Sequence, residues 1–230
     1  MPDLSVAFPT RELEQAFLGV VDVEGKLMAA LEDLGPVANR DVVLLDAGLG
    51  VRVRQLEEIG ARVTAVAFPD SCDEGAVLAR IAEVPTGLAD AVIVLWSELA
   101  SPGSTFIAEA QRLLRPRGRL LVVHDYGRDD VWGLRPEQCE RAVAWSHRRG
   151  PFLGDGFRVR VLHCWWTFQS AEQARELLTA RFGPLGADVA DRMKRLRLEY
   201  TVAVFHRWEP EAAMEPAGSV GGLAGGPTEP

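Results

Sequence analysis

Apolar positions recur along the chain with two different spacings. Between residues 11 and 36, "RELEQAFLGVVDVEGKLMAALEDLGP" sets Leu13 and Phe17, then Leu27, Leu31 and Leu34, at helical intervals. This predicts two lead-in helices, the second capped by Asp22 and ended by Gly35-Pro36. "DVVLLDAG" (41–48) is a continuous apolar run of the kind that lies in a sheet with both faces covered. "VRVRQLEEIGA" (51–61) predicts a helix that Gly60 stops, and "RVTAVAF" (62–68) a second buried strand.

Further along, "GAVLARIAEVP" (75–85) is read as a third strand, although the connection "PDSCDEG" (69–75) is short for a crossover helix. "ADAVIVLWS" (89–97) is a fourth strand. "STFIAEAQRLL" (104–114) is an amphipathic helix through Phe106, Ile107, Ala110, Leu113 and Leu114. "RPRG" is a turn, with "RLLVVHD" (119–125) as the fifth strand. Pro136 opens a helix running to Gly150, and "FRVRVLHCWWTF" (157–168) alternates as a long strand. Ser170 with Gln173 forms a capping box for "AEQARELLTARF", which Gly183 ends, and "YTVAVFHRW" (200–208) is the last strand. Strands alternating with helices imply an α/β protein with a doubly wound sheet, whose ligands belong at the carboxyl ends of the strands.

The organisation expected is a pair of N-terminal helices (1–36) packed on one domain (37–208), then a flexible tail (209–230) with five Gly and four Pro. At 230 residues and 47% apolar content the chain has enough material for one sizeable core. Its net charge of -8 is uneven: residues 1–100 carry 7 basic and 17 acidic side chains, residues 101–208 carry 18 and 12. The arginines of the second half are scattered through helices and turns rather than grouped with aromatics, which speaks against a nucleic-acid partner. Three cysteines far apart in sequence, Cys72, Cys139 and Cys164, form neither a disulfide framework nor a Cys-x-x-Cys metal site. No window of about eighteen apolar residues occurs, and the start of the chain lacks a basic segment followed by an apolar one. The expectation is a cytoplasmic protein without a membrane partner.

Candidate chemistry gathers where strands end. The fifth strand closes on "HDYGRDD", which brings His124, Asp125 and Tyr126 to the rim of the sheet. A His beside a carboxylate is a means of removing a proton, provided the strand has already ended, because neighbours on a strand face opposite ways. Trp96, Ser97 and Glu98 hold the same rim after the fourth strand. His163 and Cys164 are also strand neighbours that diverge, and no second ligand pair has zinc spacing, so no metal site is expected. Neither a Gly-x-Ser-x-Gly elbow nor a Walker loop is present.

In "VLLDAGLG", "GLADAVIVLWSEL" and "AEAQRLLRPRGRLLVVHD", in that order, the chain resembles the class I S-adenosylmethionine-dependent methyltransferases over residues 37 to 207. The resemblance implies a Rossmann-like, seven-stranded, mostly parallel sheet with its last strand antiparallel. It implies a transferase that passes a methyl group from S-adenosylmethionine to a small molecule. Asp46, Gly48 and Gly50 match the cofactor loop, Asp70 and Trp96 are further cofactor-binding candidates, and His124 and Asp125 are the catalytic candidates.

The cofactor motif is degenerate. Arg52 stands where the loop's third glycine belongs, and Ala67 where an acid grasps the ribose hydroxyls. One alignment of "ARIAEVP" puts Arg80 at the adenine edge. The alternative expectation is therefore a methyltransferase-like scaffold that has lost its cofactor and serves as a binding or regulatory module.

Overall fold

The computed structural model describes residues 10–45, 50–68, 73–134 and 143–209. The chain enters through α1 (Arg11–Val20) and α2 (Lys26–Leu34). Thr10 caps α1 by accepting a hydrogen bond from the Leu13 amide at 3.3 Å. Asp22 serves α2 from beyond its first turn, its two carboxylate oxygens accepting from the amides of Lys26 and Leu27 at 2.9 and 2.8 Å. Two of the donors that a helix start leaves open are thereby satisfied.

Strands and helices then alternate: β1 (Asp41–Leu45), α3 (Val51–Glu58), β2 (Arg62–Val66), α4 (Glu74–Ala82), β3 (Ala89–Leu95), α5 (Thr105–Arg112) and β4 (Leu114–Asp125). A 3-10 turn (Asp130–Leu134) leads on, and α6 (Pro151–Gly154), β5 (Arg158–Thr167), α7 (Ala171–Arg192) and β6 (Arg197–Trp208) follow. The sheet order is β2-β1-β3-β4-β6-β5. β1 pairs in parallel with β2 and β3, and β3 with β4. β6 lies antiparallel between β4 and β5, so the last strand is the reversed one. This is a doubly wound α/β fold with a mixed, mostly parallel sheet of six strands among the described residues.

One strand of the sequence reading is corrected. "GAVLARIAEVP" is not a strand; its first part is helix α4, capped by the Asp73 carboxylate, which accepts from the Ala76 amide at 2.9 Å. Val77 and Ile81 of α4, with Val84 just past its end, are buried together against the sheet.

Helices cover both faces. On one, α1, α2, α3 and α7 pack through Phe17, Leu27, Leu31, Leu56 and Leu178 onto Leu44, Ile93, Leu121 and Tyr200. On the other, α4, α5 and α6 pack through Ile81, Phe106 and Phe152 onto Val43, Val92, Val122 and Phe205. Neighbours along β1, β3 and β4 therefore alternate between two separate cores, and the apolar runs are continuous because both faces are dry.

The "RPRG" turn sits inside β4. Ala89 and Ala91 of β3 pair with Leu114 and Arg119, so the intervening residues stand out of the ladder, with Arg117 at φ 66. Gly183 breaks α7 at φ 58, ψ -140, where the sequence ends that helix, and Pro184 opens its second half. Of the helix read from Pro136 to Gly150, residues 135–142 lie outside the described residues and 143–146 are helical. The tail beyond residue 209 also lies outside them.

Candidate functional site

Three strand ends frame the site: β1 with the turn into α3, β2, and the pair β3–β4. In the first, Asp46 and Gly48 lie outside the described residues. Gly50 stands at the head of α3 with φ 77, a left-handed backbone that favours glycine, and its carbonyl accepts from the Arg54 amide at 3.1 Å. A Cβ added there would meet nothing within 4 Å, so the requirement is backbone conformation rather than space.

Arg52, in the first turn of α3, points into the protein. It is 6% exposed; Nη1 donates to Gln55 Oε1 at 2.7 Å, while Nη2 is buried without a hydrogen-bond partner. Burial holds its pKa below the usual arginine value, opposed by the charges of Asp22, Tyr200 and Cys164. Both oxygens of Asp22 are already engaged by the head of α2. Among the described residues no carboxylate is hydrogen-bonded to this buried cation. Arg80, by contrast, is 62% exposed along its side chain and faces Glu83 at 3.8 Å.

At the end of β2, Ala67 is exposed and offers no acceptor. Phe68 turns back to pack edge-on against Phe106 at 5.8 Å. Asp70 lies outside the described residues.

The ends of β3 and β4 hold the densest polar contacts. Trp96 is 1% exposed and takes a left-handed backbone, φ 44, which is uncommon for a bulky side chain. Its amide donates to Val123 O at 2.8 Å and its indole Nε1 to Asp125 Oδ1 at 3.2 Å. The hydroxyl of Tyr200, on β6, donates to the same oxygen at 2.5 Å. Asp125 is 7% exposed. Tyr200 thus belongs to the site, though sequence reading passed over it as the first residue of a strand.

His124 lies elsewhere. β4 runs through Asp125, so the two side chains leave opposite faces of the sheet. His124 is 2% exposed, with its ring 4.3 Å from that of Trp145 and 5.8 Å from that of Phe152. Asp125, Trp96 and Tyr200 share the layer of Arg52; His124 belongs to the other.

Two acids beyond β4 take over the work of a strand. Asp129 accepts from the Thr201 amide at 2.7 Å and Asp130 from the Glu199 amide at 2.9 Å, which satisfies β6 where its partner has ended. On β5, His163 is exposed beside Glu199 at 3.4 Å, whereas Cys164 is buried and its thiol is pushed up to about 12. The described residues contain no group of three metal-ligating side chains, and no helix among them is long and apolar enough to cross a membrane.

No family model and no curated protein matches the chain. Solved structures do. The geranyl diphosphate C-methyltransferase of Streptomyces coelicolor A3(2), in complex with Mg2+, geranyl diphosphate and S-adenosyl-L-homocysteine, is 13% identical with a TM-score of 0.43, over 80% of this chain and 77% of that one. A geranyl diphosphate methyltransferase in complex with GPP and sinefungin is 15% identical with a TM-score of 0.43, over 80% and 78%. The [4+2]-cyclase SpnF is 14% identical with a TM-score of 0.42, over 81% of each chain.

Proposed function

We propose that this methyltransferase-like protein binds S-adenosylmethionine at the carboxyl end of β1 and transfers its methyl group to a small molecule. The observation that carries the reading is Arg52, buried beside Gly50 with an N–H that has no partner among the described residues. The methyl donor bears one anionic group, the carboxylate of its amino-acid end, and a guanidinium is its natural counterpart. In this reading the residue that departs most from the family loop is a donor-binding residue.

Asp46, Gly48 and Gly50 form the rest of the cradle, as the family resemblance implies. Ala67 supplies no acceptor to the ribose, so Asp70, three residues on, is the acid left for that role. Trp96 borders the site from β3. Loss of one charge-assisted hydrogen bond to the ribose weakens binding by about ten- to a hundredfold, which sets this site below one with an acid at the end of β2.

When bound, the donor supplies an electrophilic methyl group. The chain's own contribution lies at the end of β4. His124 and Asp125 are the titratable pair there, and Asp125 is the one on the Arg52 side. Its carboxylate orients the Tyr200 hydroxyl and the Trp96 indole and is the proton acceptor for an incoming hydroxyl or amine.

Calorimetric titration with S-adenosylmethionine and S-adenosylhomocysteine tests the reading. Saturable binding of both at or below roughly 100 µM supports it. Absent binding to folded protein overturns it in favour of a scaffold that no longer methylates.

A further inference from the structure

The amino ends of β1, β3 and β4, with the end of β6, border a cleft of about 420 Å³ at the opposite end of the sheet from the strand ends just described. Gly35, Arg40, Asp90, Arg117, Arg119 and Trp208 are among its walls. Arg119 is 7% exposed, and its Nε is buried without a hydrogen-bond partner. Its Nη1 donates to His206 Nδ1 at 2.8 Å, and its guanidinium carbon lies 3.5 Å from the centroid of the Trp208 ring. No carboxylate of the described residues pairs with it. Trp208 is 54% exposed, so the indole that shields this cation also faces the cleft and solvent.

Three arginines and one acid line the cleft. Asp90, the acid in the wall, is spoken for: its Oδ2 accepts from the Asp41 amide at 3.0 Å and meets Arg115 Nη1 at 3.0 Å. Gly35 keeps the floor close, because a Cβ there would stand 3.0 Å from Arg119 Cγ and 3.1 Å from Leu121 Cδ1. Burial pulls the Arg119 pKa down to about 10, with Arg158 adding to it. His206 is lowered by burial, then by Arg119, Arg158 and Arg160. The charges that lower these two groups are those of arginines.

We propose that this cleft binds a small organic anion carrying a flat ring, its carboxylate or phosphate paired with Arg119 and its ring laid on Trp208. The anion supplies the counter-charge that a buried guanidinium requires, and Arg40 and Arg117 stand at the rim to draw it in. The exposed indole accepts the ring, since its quadrupole already favours a cation beside it and its apolar surface gains from being covered. The site is separate from the donor site and stands whether or not the donor binds.

The test is titration of the full chain with inorganic phosphate, 1-naphthyl phosphate, 1-naphthoate and 1-naphthol, read by calorimetry. The two aryl anions are expected to bind at least about tenfold more tightly than either inorganic phosphate or neutral naphthol. Their ratio tells phosphate from carboxylate ligands. Arg119→Gln is expected to reduce aryl-anion affinity at least about tenfold. Trp208→Ala is expected to weaken the aryl anions and leave inorganic phosphate unchanged. Should Arg119→Gln not fold, the rim double variant Arg40→Gln/Arg117→Gln takes its place, with a drop of at least about threefold. The proposal is overturned if naphthol binds as well as the aryl anions, if none saturates by about 10 mM, or if the folded arginine variants bind the aryl anions unchanged.

Discussion

The indole of Trp96 and the carboxylate of Asp125, at the ends of adjacent strands, are joined by a 3.2 Å hydrogen bond inside the core. The same oxygen of Asp125 accepts from Tyr200, so one side chain ties β3, β4 and β6 together at the candidate site. Asp125→Ala removes the acceptor that these two buried donors share, a loss of about one to three kcal/mol for each, and is expected to lower unfolding stability by about 3 kcal/mol in urea. Asp125→Asn keeps an acceptor and is expected to lose roughly half of that. Equal, negligible losses for both would show that the two donors find other partners.

Acid sensitivity is expected at the opposite end of the sheet. The guanidinium of Arg62, and after it that of Arg115, hydrogen-bonds Asp41 and holds its carboxyl down from 3.8 to about 2. A carboxyl whose folded pKa is depressed stabilises the fold above its unfolded value and loses that contribution as pH falls through the folded one. Stability is therefore expected to decline from pH 3.8 toward about 2 by a share that Asp41→Asn removes. The comparison is a urea midpoint series in acid; parallel curves for the two proteins would contradict it.

Cys164 is expected to be chemically silent. Burial, and after it Asp22, pushes its thiol up to about 12, which leaves almost no thiolate near neutrality. In a chain with Cys72→Ser and Cys139→Ser, a disulfide reagent at about pH 8 should find no thiol in the folded protein and one after denaturation. Prompt reaction of the folded chain would place Cys164 at the surface.

The helical state of residues 74–82 has its own test. Asp73→Ala removes the carboxylate that caps α4 and is expected to cost about 1 kcal/mol, with Asp73→Ser restoring most of it. Urea unfolding of the two variants checks this; no difference between them would mean that the cap contributes nothing.

Segment 75–85 also marks where sequence reasoning stopped short. "AVLARIA" is apolar at so many positions that both a strand and a helix can claim it, and only its packing against the sheet face of Val43 and Val92 selects the helix. The inner strands were legible because both their faces are dry. Neighbours such as Val122 and Val123 fill different cores, and that produces the long apolar runs. The bond between Asp125 and Tyr200 was not legible, since it joins residues 75 apart and exists only because β6 inserts antiparallel beside β4. Arg52 was visible as a misfit in a glycine loop, but its direction depends on how α3 is rotated on β1, which no local pattern encodes.

That direction is the central claim, and a cycle of two ligands and two proteins measures it. S-adenosylmethionine and its decarboxylated analogue are titrated into the natural chain and into Arg52→Gln. If Arg52 holds the donor's carboxylate, the natural chain prefers the intact donor by about ten- to a hundredfold, and Arg52→Gln binds both alike and weakly. Equal affinity of the natural chain for the two ligands, or tighter binding of the donor by Arg52→Gln, would contradict it.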